Sequence, residues 1–258
     1  VLMIAPLVWT VSTSLKTLPQ LNIWPPALIP DPIAWENYPK ALTILPFALY
    51  FRNTITVTVF VLIGHLISCS LVAYGFARLR FPGRDILFIV MLGTIMVPFV
   101  VTLIPLFIIF SRIGWINTFL PLIIPGFLGY PVYVFLLQQF FKSIPMDIAD
   151  AAKLDGCSEI NIWWRIMLPL SKPVLTVIAV FSIQFTWNDF LGPLIYLQKP
   201  QLRTMALGLY YYRNMPGQLP MFHYLMAISV VMVIPMLVLF AFFQRYFIHG
   251  VILTGIKR

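Results

Sequence analysis

From Asn53 to Phe76 the chain reads "NTITVTVFVLIGHLISCSLVAYGF", without one Asp, Glu, Lys or Arg. A helix over that stretch reaches the ~20 residues needed to cross a bilayer and offers water no polar face. Comparable runs recur at about 86–110, 120–140, 173–196 and 223–243. The opening run, "VLMIAPLVWTVSTSL", is shorter than a full crossing and reads as the remainder of a truncated first span. It lacks the basic start and small-residue cleavage site of a signal peptide. Hydrophobic residues make up 60% of the chain and charged ones 10%, with a mean hydropathy of +0.93. We therefore expect an all-α integral membrane protein with six transmembrane helices, the first truncated, in a single domain over residues 1–258.

The formal charge of +9 is spread singly between apolar blocks. Anionic lipid headgroups and the positive-inside rule account for that pattern, and a nucleic-acid partner is not expected. Alternate loops place ten of the 17 Lys and Arg residues on one side. The short loops decide the orientation: Arg78, Arg80 and Arg84 follow the second span, Arg112 alone the third. The segment 142–171 and the C-terminal tail 244–258 are thus expected on the cytoplasmic side. Cys69 and Cys157 support neither a disulfide framework nor a metal-ligand spacing.

The segment 142–171 interrupts the oily pattern with "DAAKLDGCSEINIWWRIMLP", Asp150 to Pro169. Its residues predict two short helices. Ser143 is placed to cap the first, with Pro145 and Asp147 in its opening turn and Lys153 near its end. Gly156 falls where a left-handed cap is wanted. Ser158 is placed to cap the second helix, which carries Ile162, Trp163, Trp164 and Ile166; Pro169 stops it, and Ser171 with Pro173 opens the next span. Such a pair of helices can lie in the headgroups as an amphipathic loop or present a docking surface to another protein.

Through Asp150, Ala151, Ala152, Asp155, Gly156, Cys157, Leu168 and Pro169 the segment closely resembles the EAA loop of ABC-transporter importer permeases. Asp150 stands for the usual Glu, and Cys157 for a small residue after the Gly. "ENYPKAL", "AYGFARLRFPGRD", "WNDFLGPLIYL" and the closing "LMAISVVMVIPMLVLFAFFQRYFIHGVILTGIKR" extend the resemblance over nearly all the chain. They are similar to the carbohydrate branch, specifically the second membrane subunit of maltose-type importers. The resemblance implies the type I importer permease fold, with a coupling helix that seats in a groove of a cytoplasmic ATPase. Asp150 and Asp155 would be its polar contacts, although helix capping uses the same residues. The tail, through Gly250, Gly255 and Lys257, would reach the ATPase dimer or rest on anionic lipid. Implied partners are a second homologous permease subunit, two P-loop ATPase subunits, an extracytoplasmic sugar-binding protein and membrane lipid. The implied location is a bacterial or archaeal plasma membrane.

No G-x-x-x-x-G-K-[ST] occurs, so no cofactor is expected in this chain, and ATP and Mg belong to the partner ATPases. No Ser/His/Asp, Cys/His or carboxylate pair has a spacing suited to catalysis, and the chain is not expected to be an enzyme. His65, amid an apolar span, is expected to hydrogen-bond between helices rather than carry protons. Polar groups inside the bilayer usually face the bundle interior. By that criterion Gln184, Asn188 and Asp189 of the fifth span, near Ser182 and Thr186, form a candidate substrate path beside Trp187 and Phe190. Asn188 and Asp189 equally suit a helix break before Gly192 and Pro193. Tyr130 and Tyr133 of the fourth span are further candidates. A sugar-phosphate importer of the glycerol 3-phosphate type would want a cation in the pore, and Arg52, Arg203 and Arg213 are peripheral. An ion-driven secondary transporter would rest on His65 alone.

Overall fold

The computed structural model describes residues 3–215 and 221–255, leaving aside the side chains of 245–255. Among the described residues every regular element is a helix. In chain order these are α1 (Ala5–Ser14), α2 (Leu18–Leu21), α3 (Asn37–Ile44), α4 (Phe47–Arg78), α5 (Arg84–Gly93), α6 (Phe99–Arg112), α7 (Leu120–Ile123) and α8 (Pro131–Ser143). Then come α9 (Met146–Leu154), α10 (Glu159–Ile162), α11 (Leu168–Leu170), α12 (Lys172–Trp187), α13 (Leu191–Tyr196), α14 (Met205–Arg213) and α15 (Phe222–Gly255).

Among the described residues three stretches are long and apolar enough to cross a membrane as they stand: Phe47–Arg78, Leu120–Ser143 and Phe222–Gln244. Two more reach that length only as bent pairs. The expected third span, 86–110, is one of these. It breaks ahead of Pro98, and its arms, Arg84–Met96 and Phe99–Arg112, diverge by 99°. Proline cannot donate to the turn before it and forces its predecessor into extended backbone, and Val97 has ψ 115°. Pro105, by contrast, stays inside α6. The other pair is Glu159–Leu170 with Lys172–Trp187, and the expected fifth span, 173–196, is itself divided into α12 and α13 at Asn188–Phe190. Helix α1 has 10 residues and is too short for a crossing.

The chain forms two compact units, residues 1–55 with 188–242, and 56–187 with 243–258. In the first, Phe47 and Tyr50 of α4 pack with Met205 and Tyr212 of α14 and with Ala227 and Ile228 of α15. Asn53 Nδ2 donates to the carbonyls of Gln201 (2.8 Å) and Arg203 (3.0 Å), and Thr54 Oγ1 accepts the Met205 amide (2.9 Å). The Thr54 bond satisfies the first amide of α14, which has no intrahelical partner, and the Asn53 bonds hold the chain that leads into it.

In the second unit, α4 and α8 enclose a core of Cys69, Ala73, Tyr74, Val134, Leu137 and Phe141. A Cβ on Gly64 would stand 2.7 Å from the Phe127 ring and 2.9 Å from the Gly126 carbonyl carbon. Only glycine lets α4 approach the chain that closely.

Candidate functional site

The candidate coupling segment hangs on the core of the second unit. At its entrance, α8 ends with carbonyls that lack intrahelical partners. Arg78, at the end of α4 and buried, supplies them: Nη2 donates to Phe141 O (2.7 Å) and Ile144 O (2.6 Å), and Nη1 reaches Met146 Sδ. The rigid guanidinium fork fixes the turn between α8 and α9, as an ammonium could not. Pro145 then holds extended backbone (φ −54°, ψ 140°) and is the N-cap residue of α9. Ser143 is therefore not the cap expected from sequence. Its hydroxyl donates to Phe140 O (2.7 Å) within the last turn of α8, since Pro145 prevents a helix from running through Ile144.

Helix α9 presents two faces. Ala149 and Ala152, one turn apart, are buried against the core, and their methyl groups let the helix backbone lie close to it. The other face is open: Ile148 is 40% exposed and Leu154 91%, interleaved with exposed Asp147, Asp150, Ala151 and Asp155. The helix ends as its sequence predicts. Gly156 takes φ 81°, its amide donates to Lys153 O (3.0 Å), and the Cys157 amide donates to Ala152 O (2.9 Å), a Schellman closure. Ser158 Oγ accepts the Asn161 amide (3.4 Å) and caps α10.

Beyond α10 the backbone widens into one π turn, Trp163–Met167, before α11. Pro169, expected from the sequence to stop this limb, does not stop it. It occupies the opening turn of α11, where a missing amide costs nothing. The break comes at Ser171, and the limb Glu159–Leu170 lies at 82° to α12.

One contact group joins both limbs to α4. Lys153 Nζ pairs with Glu159 Oε1 at 2.7 Å, and the Tyr74 hydroxyl donates to Glu159 Oε2. The Lys153 ammonium and then the Tyr74 hydroxyl hold the Glu159 carboxyl below the usual carboxylate range. A depressed folded-state value means that this group stabilises the fold above its ordinary titration range. That contribution fades as pH falls through the folded-state value. Glu159→Gln is accordingly expected to lower the thermal midpoint slightly at neutral pH and to converge with the wild type in acid, so that the acid limb of a midpoint-against-pH profile flattens; the difference is small because the bridge is largely solvated. An acid limb of unchanged slope would show that Glu159 carries none of it.

Of the expected coupling residues, Asp150, Ala151, Asp155, Gly156, Cys157 and Pro169 are exposed, while Ala152 is buried and Leu168 half-buried. The motif thus divides into an outward set and an inward set. Sequence reasoning missed Arg78 and Tyr74, which support the segment from α4, far away in the chain, and Glu159, the residue within the segment that Tyr74 holds. Gly250 and Gly255 lie on the helical backbone of α15; Lys257 lies outside the described residues.

The candidate path residues are brought together only in part. Tyr130 and Tyr133 pack with ring centroids 4.8 Å apart, and both flank His65, at 5.8 and 5.1 Å. His65 Nδ1 and Ser182 Oγ lie 2.8 Å apart, joining α4 to α12 as expected, and both residues are buried. Gln184 is exposed on the same α12. Asn188 and Asp189 belong to the other unit. There Asp189 Oδ1 accepts the Gly192 amide (3.2 Å), which is the helix-break role considered for it.

Comparison with known proteins converges on one class. The sequence pattern described as "Binding-protein-dependent transport system inner membrane component" matches residues 67–252. The arabinooligosaccharides transport system permease protein AraQ of Bacillus subtilis (strain 168) is 35% identical over 231 residues, 88% of this chain and 80% of that protein. Its counterpart in Halalkalibacterium halodurans is 34% identical over 208 residues, 81% and 74%. The diacetylchitobiose uptake system permease protein NgcG of Streptomyces coelicolor is 31% identical over 247 residues, 95% and 81%. Among solved structures, a bacterial ABC transporter involved in the import of the acidic polysaccharide alginate superposes with TM-score 0.87 at 22% identity, over 95% of this chain and 91% of the other. That likeness shows the fold, which is the type I importer permease fold. The chain belongs to the family of binding-protein-dependent transport system inner membrane components, a family of transport permeases.

Proposed function

We propose that this chain forms half of the translocation pore of an ATP-driven importer of sugars or oligosaccharides, paired with a second homologous permease subunit. Two P-loop ATPase subunits bind ATP and Mg on the cytoplasmic side, where segment 142–171 and the C-terminal tail lie. An extracytoplasmic sugar-binding protein docks on the outward loops, with "LNIWPPALIPDP" and residues 198–220 as its surfaces. ATP binding pushes α9 and turns the pore outward; hydrolysis and product release reset it. The names of the relatives support carbohydrate as the cargo rather than a sugar-phosphate.

The observation that carries the coupling role is the open face of α9. Leu154 is 91% exposed and Ile148 40%, on a helix otherwise fixed to the core by Ala149 and Ala152. Apolar side chains displayed between Asp147, Asp150 and Asp155 suit a protein groove better than water. Asp150, Ala151, Asp155, Gly156 and Cys157 are its contact residues, with Ala152, Leu168 and Pro169 shaping it from behind. Gly250, Gly255 and Lys257 give the tail contact. Tyr130, Tyr133, Gln184, Asn188 and Asp189 contribute to the sugar path, where amides and aromatic faces meet hydroxyls and sugar rings.

Nature supplies a probe for the test. Cys157 is exposed and Cys69 buried, and neither is in a disulfide. In membrane vesicles holding the assembled transporter, maleimide labelling of Cys157 is expected to slow several-fold relative to vesicles stripped of the ATPase. The same vesicles are expected to accumulate an oligosaccharide only with ATP and binding protein. Equal labelling rates in both preparations would remove the coupling assignment, and ATP-independent uptake would remove the importer reading.

A further inference from the structure

The unit of residues 1–55 and 188–242 holds a pocket of about 520 Å³ beside the end of α1. Its walls include Trp9, Thr13, Lys16, Leu18, Met221 and Phe222. The chain there is pinned from behind. Asn37 Nδ2 donates to both Ser14 O and Lys16 O, each at 2.8 Å, the Ala34 amide donates to Leu15 O (2.8 Å), and Ser14 Oγ bonds Tyr38 Oη (2.8 Å). These bonds fix the backbone that carries Lys16, which is 2% exposed.

Its charge is unanswered within the frame. Lys16 Nζ lies 4.4 Å from the centroid of the Trp9 ring, so a π face takes one side of the ammonium. Among the described residues no carboxylate stands within 4.0 Å of it. Thr13, also 2% exposed and on the same wall, has a buried Oγ1 with no hydrogen-bond partner. A buried cation and a buried hydroxyl without partners are both costly, and both costs vanish when one acceptor-rich anion sits between them. Of the two neutral amides on the lining, Gln20 and Asn22, Gln20 is already in use: it accepts the Thr17 amide (2.7 Å) and donates to Pro32 O (3.3 Å). Next to the charged wall, Leu18, Met221 and Phe222 give an apolar rim, and Val8, Trp9 and Val11 of α1 expose apolar surface beside it.

We propose that this pocket binds a phosphate anion carried by a phospholipid headgroup, with Lys16 and Thr13 holding the phosphate and the apolar rim of α1 receiving the lipid body. The site stands apart from the coupling role and does not depend on it.

The assembled transporter, reconstituted in nanodiscs of phosphatidylcholine with or without phosphatidylglycerol, is released into the gas phase and its retained lipids weighed. The wild type is expected to keep phosphatidylglycerol. Lys16→Gln is expected to keep roughly tenfold less, the scale of one lost charge-assisted hydrogen bond, Thr13→Val an intermediate amount, and Lys16→Arg nearly the wild-type amount. Lys16→Arg also controls for folding, since it preserves charge and length. Equal retention by wild type and Lys16→Gln, each with intact thermal unfolding, would overturn the proposal. So would a Lys16-dependent stabilisation by inorganic phosphate in lipid-free detergent that equals the lipid's, because the site would then take a free anion.

Discussion

Arg78→Gln is expected to abolish coupled uptake and to lower the stability of the subunit by about 2–4 kcal/mol. The side chain is 7% exposed and spends one terminal nitrogen on the carbonyls of Phe141 and Ile144. Its removal leaves the Ile144 carbonyl without its donor, leaves the buried Phe141 carbonyl with only the Ile144 amide (3.3 Å), and frees the turn that aims α9. Arg78→Lys is expected to rescue little, because one ammonium on a flexible stem cannot hold two carbonyls and the Met146 sulfur in a fixed geometry. Two readouts separate aim from stability. The thermal midpoint in detergent reports the loss of hydrogen bonds, and the number of ATP molecules hydrolysed per sugar imported reports coupling. In Arg78→Gln subunits that still reach the membrane, that ratio is expected to rise steeply. Met146→Leu keeps the carbonyl bonds and should leave it unchanged. Normal uptake and a normal ratio in Arg78→Gln would show that α9 needs no such support.

Gly156→Asp is expected to leave folding largely intact and to uncouple transport. At φ 81° a residue with a Cβ pays about 1–2 kcal/mol, too little to unfold a subunit with this much buried core. No atom of the chain lies within 4 Å of the position a Cβ would take, so nothing in the subunit itself collides with a new side chain. Two causes of failure can be told apart with Gly156→Asn, which matches Asp in size and in tolerance of the left-handed region and lacks its charge. Should Asn restore coupling, the charge of Asp is what the site rejects; should Asn fail as Asp does, the ATPase packs against bare backbone there. Uptake measured against ATPase activity in reconstituted vesicles decides between them. Wild-type uptake by Gly156→Asp would remove the glycine from the coupling machinery altogether.

What the sequence reveals and what it hides divide along the range of the interaction. The Gly156 closure and the Ser158 cap are legible because each is decided within five residues, by backbone sterics and one side-chain oxygen. Asp189 is legible for the same reason, its partner Gly192 being three residues away. Arg78 is not. In the sequence it is one of three arginines after an apolar run, and its value for orientation hides its value as a clasp on carbonyls more than sixty residues further on. Tyr74 and Glu159 are equally silent until α4 and α10 are seen together. Prolines give a mixed lesson. Pro98, Pro105 and Pro169 look alike in the sequence. Yet one ends a helix at a 99° break, one is absorbed inside a helix, and one sits harmlessly in an opening turn. The difference lies in which carbonyls each neighbourhood can satisfy, which local sequence does not state.

The two alanines beneath α9 have a mechanical consequence. Long flexible side chains between a helix and its bed act as a soft spring, absorbing displacement by changing rotamer. Ala149 and Ala152 have no rotamers to change, and the core they touch is close-packed. A thrust delivered at Leu154 therefore meets a stiff mounting, and little of the stroke is lost before it reaches α4 and α8.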